Sequence, residues 1–293
     1  MMNHCSKPCQ KRHAAVTVLL VIWTIVRTVF VFYAVLFTIT ATVLLYIGYQ
    51  KGYHYYNTYW LTPINDVKRL QAENPAESAY MTQYRKELRS KREADSLIWK
   101  FVPLDSISTA LVASVLAAED DGFYTHPGVS LDAIVEAIEY NRIANSNKHG
   151  ASTITQQLAK NMFLTPEKSF ERKIKELGYT ILLEKYLGKD RILELYLNYA
   201  QWGKNVFGCE AAANVYYKKN SLSLTQTEAA RMAACLAMPT RITPLYTKSG
   251  FMAKRIAVIA NNMYLRRKID DAGYTALTGE PPPGKEAEAE GEQ

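Results

Sequence analysis

Cysteine is scarce in this 293-residue chain. Cys5, Cys9, Cys209 and Cys235 are too few and too scattered for a disulfide scaffold or a zinc module. No internal repeat stands out. No sustained period-2 alternation and no hairpin signal occurs, which argues against an all-β architecture. With 48% hydrophobic and 22% charged residues the composition is that of a globular protein and excludes wholesale disorder. Acid is locally concentrated: the last fourteen residues, from Glu280, carry five Glu and one Lys, a charge of −4. The net charge is +7, so the other 279 residues carry +11. That excess suits nucleic acid, an acidic membrane surface or a phosphate-bearing substrate, and arithmetic alone does not choose.

A long apolar run narrows the choice. Ala14–Val26 is uncharged, Arg27 interrupts, and Thr28–Ile47 gives twenty further uncharged residues. A spanning helix needs about 20, so 14–47 is read as a transmembrane anchor. The run is too long for the core of a cleaved signal peptide, and bulky aromatics follow it. Lys7, Lys11, Arg12 and Arg27 precede the uncharged stretch, while only Lys51 lies within twenty residues after it. The positive-inside rule therefore puts 1–13 in the cytoplasm and the remainder outside, which leaves no nucleic acid as a partner. Tyr46, Tyr49, Tyr53, Tyr55, Tyr56, Tyr59 and Trp60 suit the headgroup layer. Residues 48–98 read as this interfacial segment plus a connector with some helix. A helical domain over 99–268 and an acidic, disordered tail over 269–293 complete the division.

Three segments of the domain carry unusual polar residues. The first is a helix from about Asp105 to Ala118, apolar nearly all round and hence buried. It ends in Glu119-Asp120-Asp121-Gly122, three acids at the negative end of a helix dipole. Two readings stay open: a solvated turn closed by Gly122, or a carboxylate held at the edge of a core, where desolvation makes a usable base. The second is Gly150–Asn161, with Ser152 or Thr153 as N-cap and Thr153, Gln156, Gln157 and Lys160 on one helical face. That stripe mixes uncharged donors and acceptors with one cation, and it suits a sugar or phosphate ligand as well as it suits water. The third runs from Ser169 to Leu187 and on through Asp190–Leu197. Arg172, Lys173 and Glu176 share a face there, as a simple helical ion pair or, counted with Lys160 and Lys168, as a pyrophosphate site. His126 is expected to make a structural hydrogen bond, and Cys209 and Cys235 to be small core residues.

Taken in order, AAEDDGFYTHPGVS, GASTITQQLAKN, ERKIKELGYTILLEKYLGKDRILELYLN, WGKNVFGCEAAANVYY and LSLTQTEAARMAACLAMPTRITP resemble the five stretches that mark glycosyltransferase family 51. This is the peptidoglycan polymerase module of class A penicillin-binding proteins and of monofunctional biosynthetic transglycosylases. The resemblance covers about Trp99 to Pro244. Ala151 and Thr240-Arg241 depart from the family pattern. No serine has lysine three residues later and no Lys-Thr-Gly occurs, so the monofunctional form, without transpeptidase activity, is implied.

The resemblance implies a mainly α fold: a single N-terminal transmembrane helix, then a lysozyme-like α-helical domain. A small membrane-proximal lobe would include roughly Lys148–Phe170, with a mobile loop near Tyr140–His149. It implies transfer of the growing polyprenyl-pyrophosphate-linked glycan chain onto the GlcNAc 4-hydroxyl of lipid II, with inversion. Glu119 and Glu176 are the implied catalytic acids, Glu119 as base. Lys160, Lys168, Arg172 and Lys173 would bind pyrophosphate, and Ser152, Thr153, Gln156, Gln157 and Asn161 would line the groove. Mg²⁺ or Mn²⁺ would accompany the pyrophosphate. The implied setting is the outer face of the inner membrane, with lipid II, the bilayer and proteins of a wall-synthesis complex as partners.

Overall fold

The computed structural model describes residues 7–143, 152–167, 169–246 and 250–284. The chain divides into two units, Met1–Thr62 and Pro63–Gln293. In the first, α1 spans Lys7–Tyr56 and a π-helical turn covers Asn57–Leu61. Fifty residues of α-helix reach about 75 Å, more than twice the ~30 Å of a bilayer's hydrocarbon core. The helix therefore extends beyond the 14–47 expected from hydropathy. Its large apolar side chains, from Val16 to Ile47, are exposed, as a surface meant for lipid must be. Thr24, Thr28, Thr40 and Thr42 each donate to the carbonyl four residues back, and Thr38 to Val35, all at 2.8 Å. Every one of these hydroxyls is thus satisfied within the helix, which is what hydrocarbon requires. It is long and apolar enough to cross a membrane.

The second unit is helical around one core. Its elements are α2 (Thr62–Arg69), α3 (Ala79–Ser90), α4 (Thr109–Glu119), α5 (Leu131–Ile143), α6 (Ile154–Phe163), α7 (Phe170–Tyr186), α8 (Lys189–Tyr199), α9 (Cys209–Tyr217), α10 (Gln226–Cys235), α11 (Gly250–Leu265) and α12 (Asp271–Thr278). Three very short strands, β1 (Ile98–Trp99), β2 (Gln201–Gly203) and β3 (Val206–Phe207), form a sheet in the order β1-β3-β2, parallel between β1 and β3 and antiparallel between β3 and β2. Two or three residues are too few for alternation to show in a sequence.

Helix α4 forms the centre. Ser108 caps its start by accepting from the Leu111 N–H at 3.1 Å. Leu111, Val115 and Ala117 are buried against α10 and α11. Helix α10 presents Ala229, Ala230, Ala233 and Ala234, all fully buried, and small side chains let two backbones approach closely. Asn198 on α8 shows how polar groups enter this core at little cost. Its side chain accepts from Val102 N and donates to the carbonyls of Val102 and Glu194, at 2.8–2.9 Å. Its own carbonyl accepts from Trp99 Nε1 at 2.8 Å. Cys209 and Cys235 are free and buried, and burial pushes both thiols up to about 12.

Three boundaries differ from those expected. The 48–98 connector is partly domain: Val67, Leu70, Met81 and Leu88 are buried, and Arg191 on α8 donates to Leu70 O, Glu73 O and Asn74 Oδ1 at 2.7–2.9 Å. Those apolar residues are widely spaced among charges, so the burial is invisible in local composition. The Lys148–Phe170 segment does not stand apart from the core, because α6 buries Ile154, Leu158, Ala159 and Met162 in it; residues 148–151 lie outside the described residues, as do 144–149 of the loop expected to be mobile. The tail does not begin at 269. Helix α12 starts at Asp271, capped by Asp270 accepting from Gly273 N at 2.8 Å, and Tyr274 is buried. Residues 285–293 lie outside the described residues.

Candidate functional site

Two of the acids at the end of α4 meet partners on α11 and just past its end. A helix C-terminus leaves carbonyls without intrahelical partners. Asn262 Nδ2 donates to Ala117 O at 2.9 Å, and Arg255 Nη2 donates to Ala118 O at 3.2 Å. The same Arg255 nitrogen pairs with Glu119 Oε1 at 3.0 Å, and Arg266 Nε donates to Asp121 Oδ2 at 2.8 Å. The unfavourable placement of Glu119 and Asp121 is thereby offset by two arginines. Glu119 itself is only 12% exposed in its side chain. Its other oxygen, Oε2, accepts from Gln157 Nε2 at 2.9 Å. Tyr196 OH donates to Gln157 Oε1 at 3.3 Å, which fixes which end of that amide faces the carboxylate. Burial raises the Glu119 pKa, while the Gln157 hydrogen bond and the charges of Arg255 and Lys160 pull against it.

Asp120 does different work. Its Oδ2 accepts from Ile154 N, at the start of α6, at 2.9 Å, and its Oδ1 from His126 Nε2 at 2.8 Å. Gly128 N donates to His126 Nδ1 at 3.1 Å, so the ring proton sits on Nε2. The backbone then folds back: Gly128 O accepts from Thr153 Oγ1 at 2.6 Å. Beneath Gly128, Glu184 Oε1 accepts from Thr155 Oγ1 at 2.6 Å and Lys189 Nζ at 2.8 Å. His126 thus makes the structural hydrogen bonds expected of it. An Asp120→Ala change leaves the Ile154 N–H and the His126 Nε2–H without acceptors, at a cost of about 2–4 kcal/mol. Thermal melting of the variant beside the parent checks this.

Helix α6 carries the second set. Thr153 is its N-cap, with a complete capping box: Thr153 Oγ1 accepts from Gln156 N, and Gln156 Oε1 from Thr153 N. Thr153 and Gln156 are both buried and engaged with each other and with Gly128. The structure therefore places these two at the helix terminus and not along a groove, because the capping interaction satisfies their polar groups. Gln157 faces Glu119. Ser152 is exposed and Asn161 half-buried. Lys160 keeps accessible surface, yet protein packs densely around it and lowers its pKa. The charges of Glu176 and Glu119 both oppose that shift, and those of Arg172 and Lys173 add to it. The charge of Lys160 thus acts on both carboxylates.

On α7, Glu176 is 3% exposed. Arg172 Nη1 pairs with its Oε2 at 2.9 Å, and Lys173 Nζ with its Oε1. Arg172 Nε is buried with no partner among the described residues. Tyr179 stacks on Phe163 of α6, with ring centroids 4.2 Å apart, and holds the two helices together. Lys168 lies outside the described residues.

Residues 86–264 match the family model described as Transglycosylase. This chain belongs to the transglycosylase family. It is similar to proteins named biosynthetic peptidoglycan transglycosylase. That of Bordetella pertussis is 42% identical over 194 residues, covering 65% of this chain and 80% of the relative. That of Ralstonia nicotianae is 42% identical over 201 residues, covering 66% and 84%. That of Aromatoleum aromaticum is 43% identical over 168 residues, covering 57% and 73%. The transglycosylase match takes in α4 to α11 and stops short of α12.

Within this transglycosylase, Arg255 is the residue that sequence reasoning missed. It lies 136 positions from Glu119, and only the fold brings them together. A signal existed: Arg255 and Asn262 lie at i and i+7 on α11, and Arg266, just past its end, continues the same spacing at i+11. The site does not fit a resident metal ion. Among the described residues no three His, Cys, Asp or Glu side chains cluster, and Glu119 and Glu176 are each already paired with cations of the chain.

Proposed function

We infer that the transglycosylase builds peptidoglycan strands. It would transfer the growing glycan chain, linked at its anomeric carbon to polyprenyl pyrophosphate, onto the GlcNAc 4-hydroxyl of lipid II. The observation that carries this reading is one arrangement: a buried carboxylate at the end of α4, with Lys160 coupling it to the Arg172–Lys173–Glu176 cluster. A carboxylate with raised proton affinity is suited to take the hydroxyl proton. The cluster is suited to charge growing on a departing pyrophosphate.

Each residue then has a task. Glu119 accepts the proton of the attacking hydroxyl, and Gln157 orients it. Arg172 and Lys160 bind the pyrophosphate through their positive charge. Lys173 assists. Glu176 holds Arg172 and Lys173 in place and keeps Lys160 charged. Mg²⁺ or Mn²⁺ would arrive as the counter-ion of the substrate pyrophosphate and be held by its oxygens. Lys160→Met should lower kcat/KM for lipid II about 100-fold, the usual scale for one lost charge-stabilising donor. Steady-state rates beside the parent check this.

The setting follows from the first unit. Positive charge ahead of the apolar run favours a cytoplasmic N-terminus and a catalytic unit outside the inner membrane. Helix α7 exposes Phe170, Ile174, Leu177 and Ile181 along one stripe, and α5 exposes Leu131, Val135 and Ile138. Apolar faces of this kind suit an enzyme working on a lipid-linked substrate at a bilayer. Proteins of a wall-synthesis complex remain the proposed neighbours. The test supplies the detergent-solubilised chain with labelled lipid II and, separately, with purified cell wall. Glycan polymer from lipid II, with no fragments released from wall, supports the polymerase. Fragments from wall without polymer would make it a hydrolytic relative.

A further inference from the structure

The clasp between α11 and the end of α4 has a consequence for the reaction itself. Helix α11 reaches Ala117, Ala118 and Glu119 through Asn262 and Arg255, and Arg266, just past its end, reaches Asp121. Within that clasp a single nitrogen, Arg255 Nη2, serves both the Ala118 carbonyl and the Glu119 carboxylate. It locks the side chain to its own backbone turn. The arginine is itself mostly enclosed, 25% exposed, with Nε buried and unpartnered among the described residues. Met252, Ile259 and Met263 fix α11 in the core, so the guanidinium is delivered by a rigid element.

We propose that Arg255 is a positioning residue for glycan transfer: it holds Oε1 of Glu119, so that Oε2, on the Gln157 side, is the oxygen that takes the proton of the acceptor hydroxyl. The two oxygens are not equivalent. Oε1 faces a full positive charge at 3.0 Å, whereas Oε2 faces a neutral amide at 2.9 Å. A proton goes to the oxygen farther from the cation, because protonating Oε1 sacrifices a charge-assisted bond. In the transfer step the O–H bond breaks as the oxygen bonds the anomeric carbon, Oε2 gains the proton, and the pyrophosphate leaves with the electron pair. Arg255 stays charged throughout and touches no reacting atom.

This rests on the reading of Glu119 as base, and the experiment separates the two. The groups facing Glu119 are Arg255 from α11, Lys160 and Gln157 from α6, Tyr196 from α8, and its neighbour Asp120. Removing Arg255 leaves burial less opposed, so Glu119 loses its proton only at higher pH. The full chain, Arg255→Met and Arg255→Lys are assayed for kcat, KM for lipid II and the pH dependence of kcat, with Glu119→Gln as reference. Arg255→Met is expected to lower kcat roughly 10- to 100-fold, a fraction of what a general base supplies, to leave KM within about threefold, and to move the acid limb to higher pH. Arg255→Lys retains the charge and is expected to recover part of kcat and return the limb towards the parent; it carries the test if Arg255→Met does not fold. An unmoved limb in the folded variants overturns the positioning role, as does a loss carried by KM alone. If Glu119→Gln polymerises as fast as the parent, the reading of the base fails first. If Glu119→Gln is inactive and both Arg255 variants behave like the parent, only the present inference fails.

Discussion

Replacing Glu119 by Gln should reduce glycan polymerisation by at least about 10³-fold, within the range a positioned general base contributes. The substitution keeps the shape of the side chain and an acceptor for Arg255; its amide N–H₂ replaces the oxygen that accepts from Gln157, whose own amide turns over and bonds Tyr196 through its N–H₂ instead. Its effect on stability should run the other way. Burial holds the folded pKa of Glu119 above that of the unfolded chain, so the ionised carboxylate is the form the fold disfavours. Below the unfolded value, about 4.3, the group is protonated in both states and costs nothing. As pH rises towards and through the raised folded value, that stability is lost. The neutral amide of the variant has no such loss. Differential scanning calorimetry at pH 8 should therefore show the variant melting no lower than the parent, with the difference vanishing in acid. A catalytic group maintained against the preference of the fold is what a functional site looks like energetically.

Gly128→Ala should be among the most destabilising single changes and should inactivate without touching either acid. Gly128 has φ +92°, a region that L side chains rarely adopt. A Cβ there would lie 2.7 Å from Glu184 Cγ and 2.9 Å from Thr180 Cγ2. Glu184 cannot swing away cheaply, because Thr155 and Lys189 both hold its carboxylate. Strain and overpacking together cost about 3 kcal/mol or more. For a unit of this size that lowers Tm by roughly 10 °C. The backbone of Gly128 also joins His126 to Thr153, so its displacement moves the N-terminus of α6, and Gln157 and Lys160 move with it. Calorimetry and the polymerisation rate, measured on one preparation, check both halves.

Much of this architecture was legible in the residues. The all-apolar α4 declared its burial, and the acids that close it declared a conflict needing a partner. The Thr153-x-x-Gln156 spacing is a capping box as well as a polar stripe; the stripe left ligand and water open, and the family resemblance assigned both residues to the groove. Local periodicity cannot separate the two, because a cap and a groove use the same hydrogen-bonding groups. Glu176 with Arg172 and Lys173 was visible as one helical face. Arg255 was not, since its partner lies 136 residues away and its own helix reads as an ordinary amphipathic one. Strands β1 to β3 were too short to show a period. Helix α12 was hidden beside an acidic, proline-containing end, although Asp270 three residues before Gly273 is a capping signal.

The measurement closest to the central claim is the rate of glycan-strand formation from labelled lipid II as a function of pH, for the full chain beside Glu119→Gln. The expected result is polymer whose rate rises with pH along one limb, with a midpoint above the ordinary glutamate value of about 4.3, and no polymer from the variant. A limb at or below that ordinary value, or polymer from the variant at the parent's rate, would contradict the account.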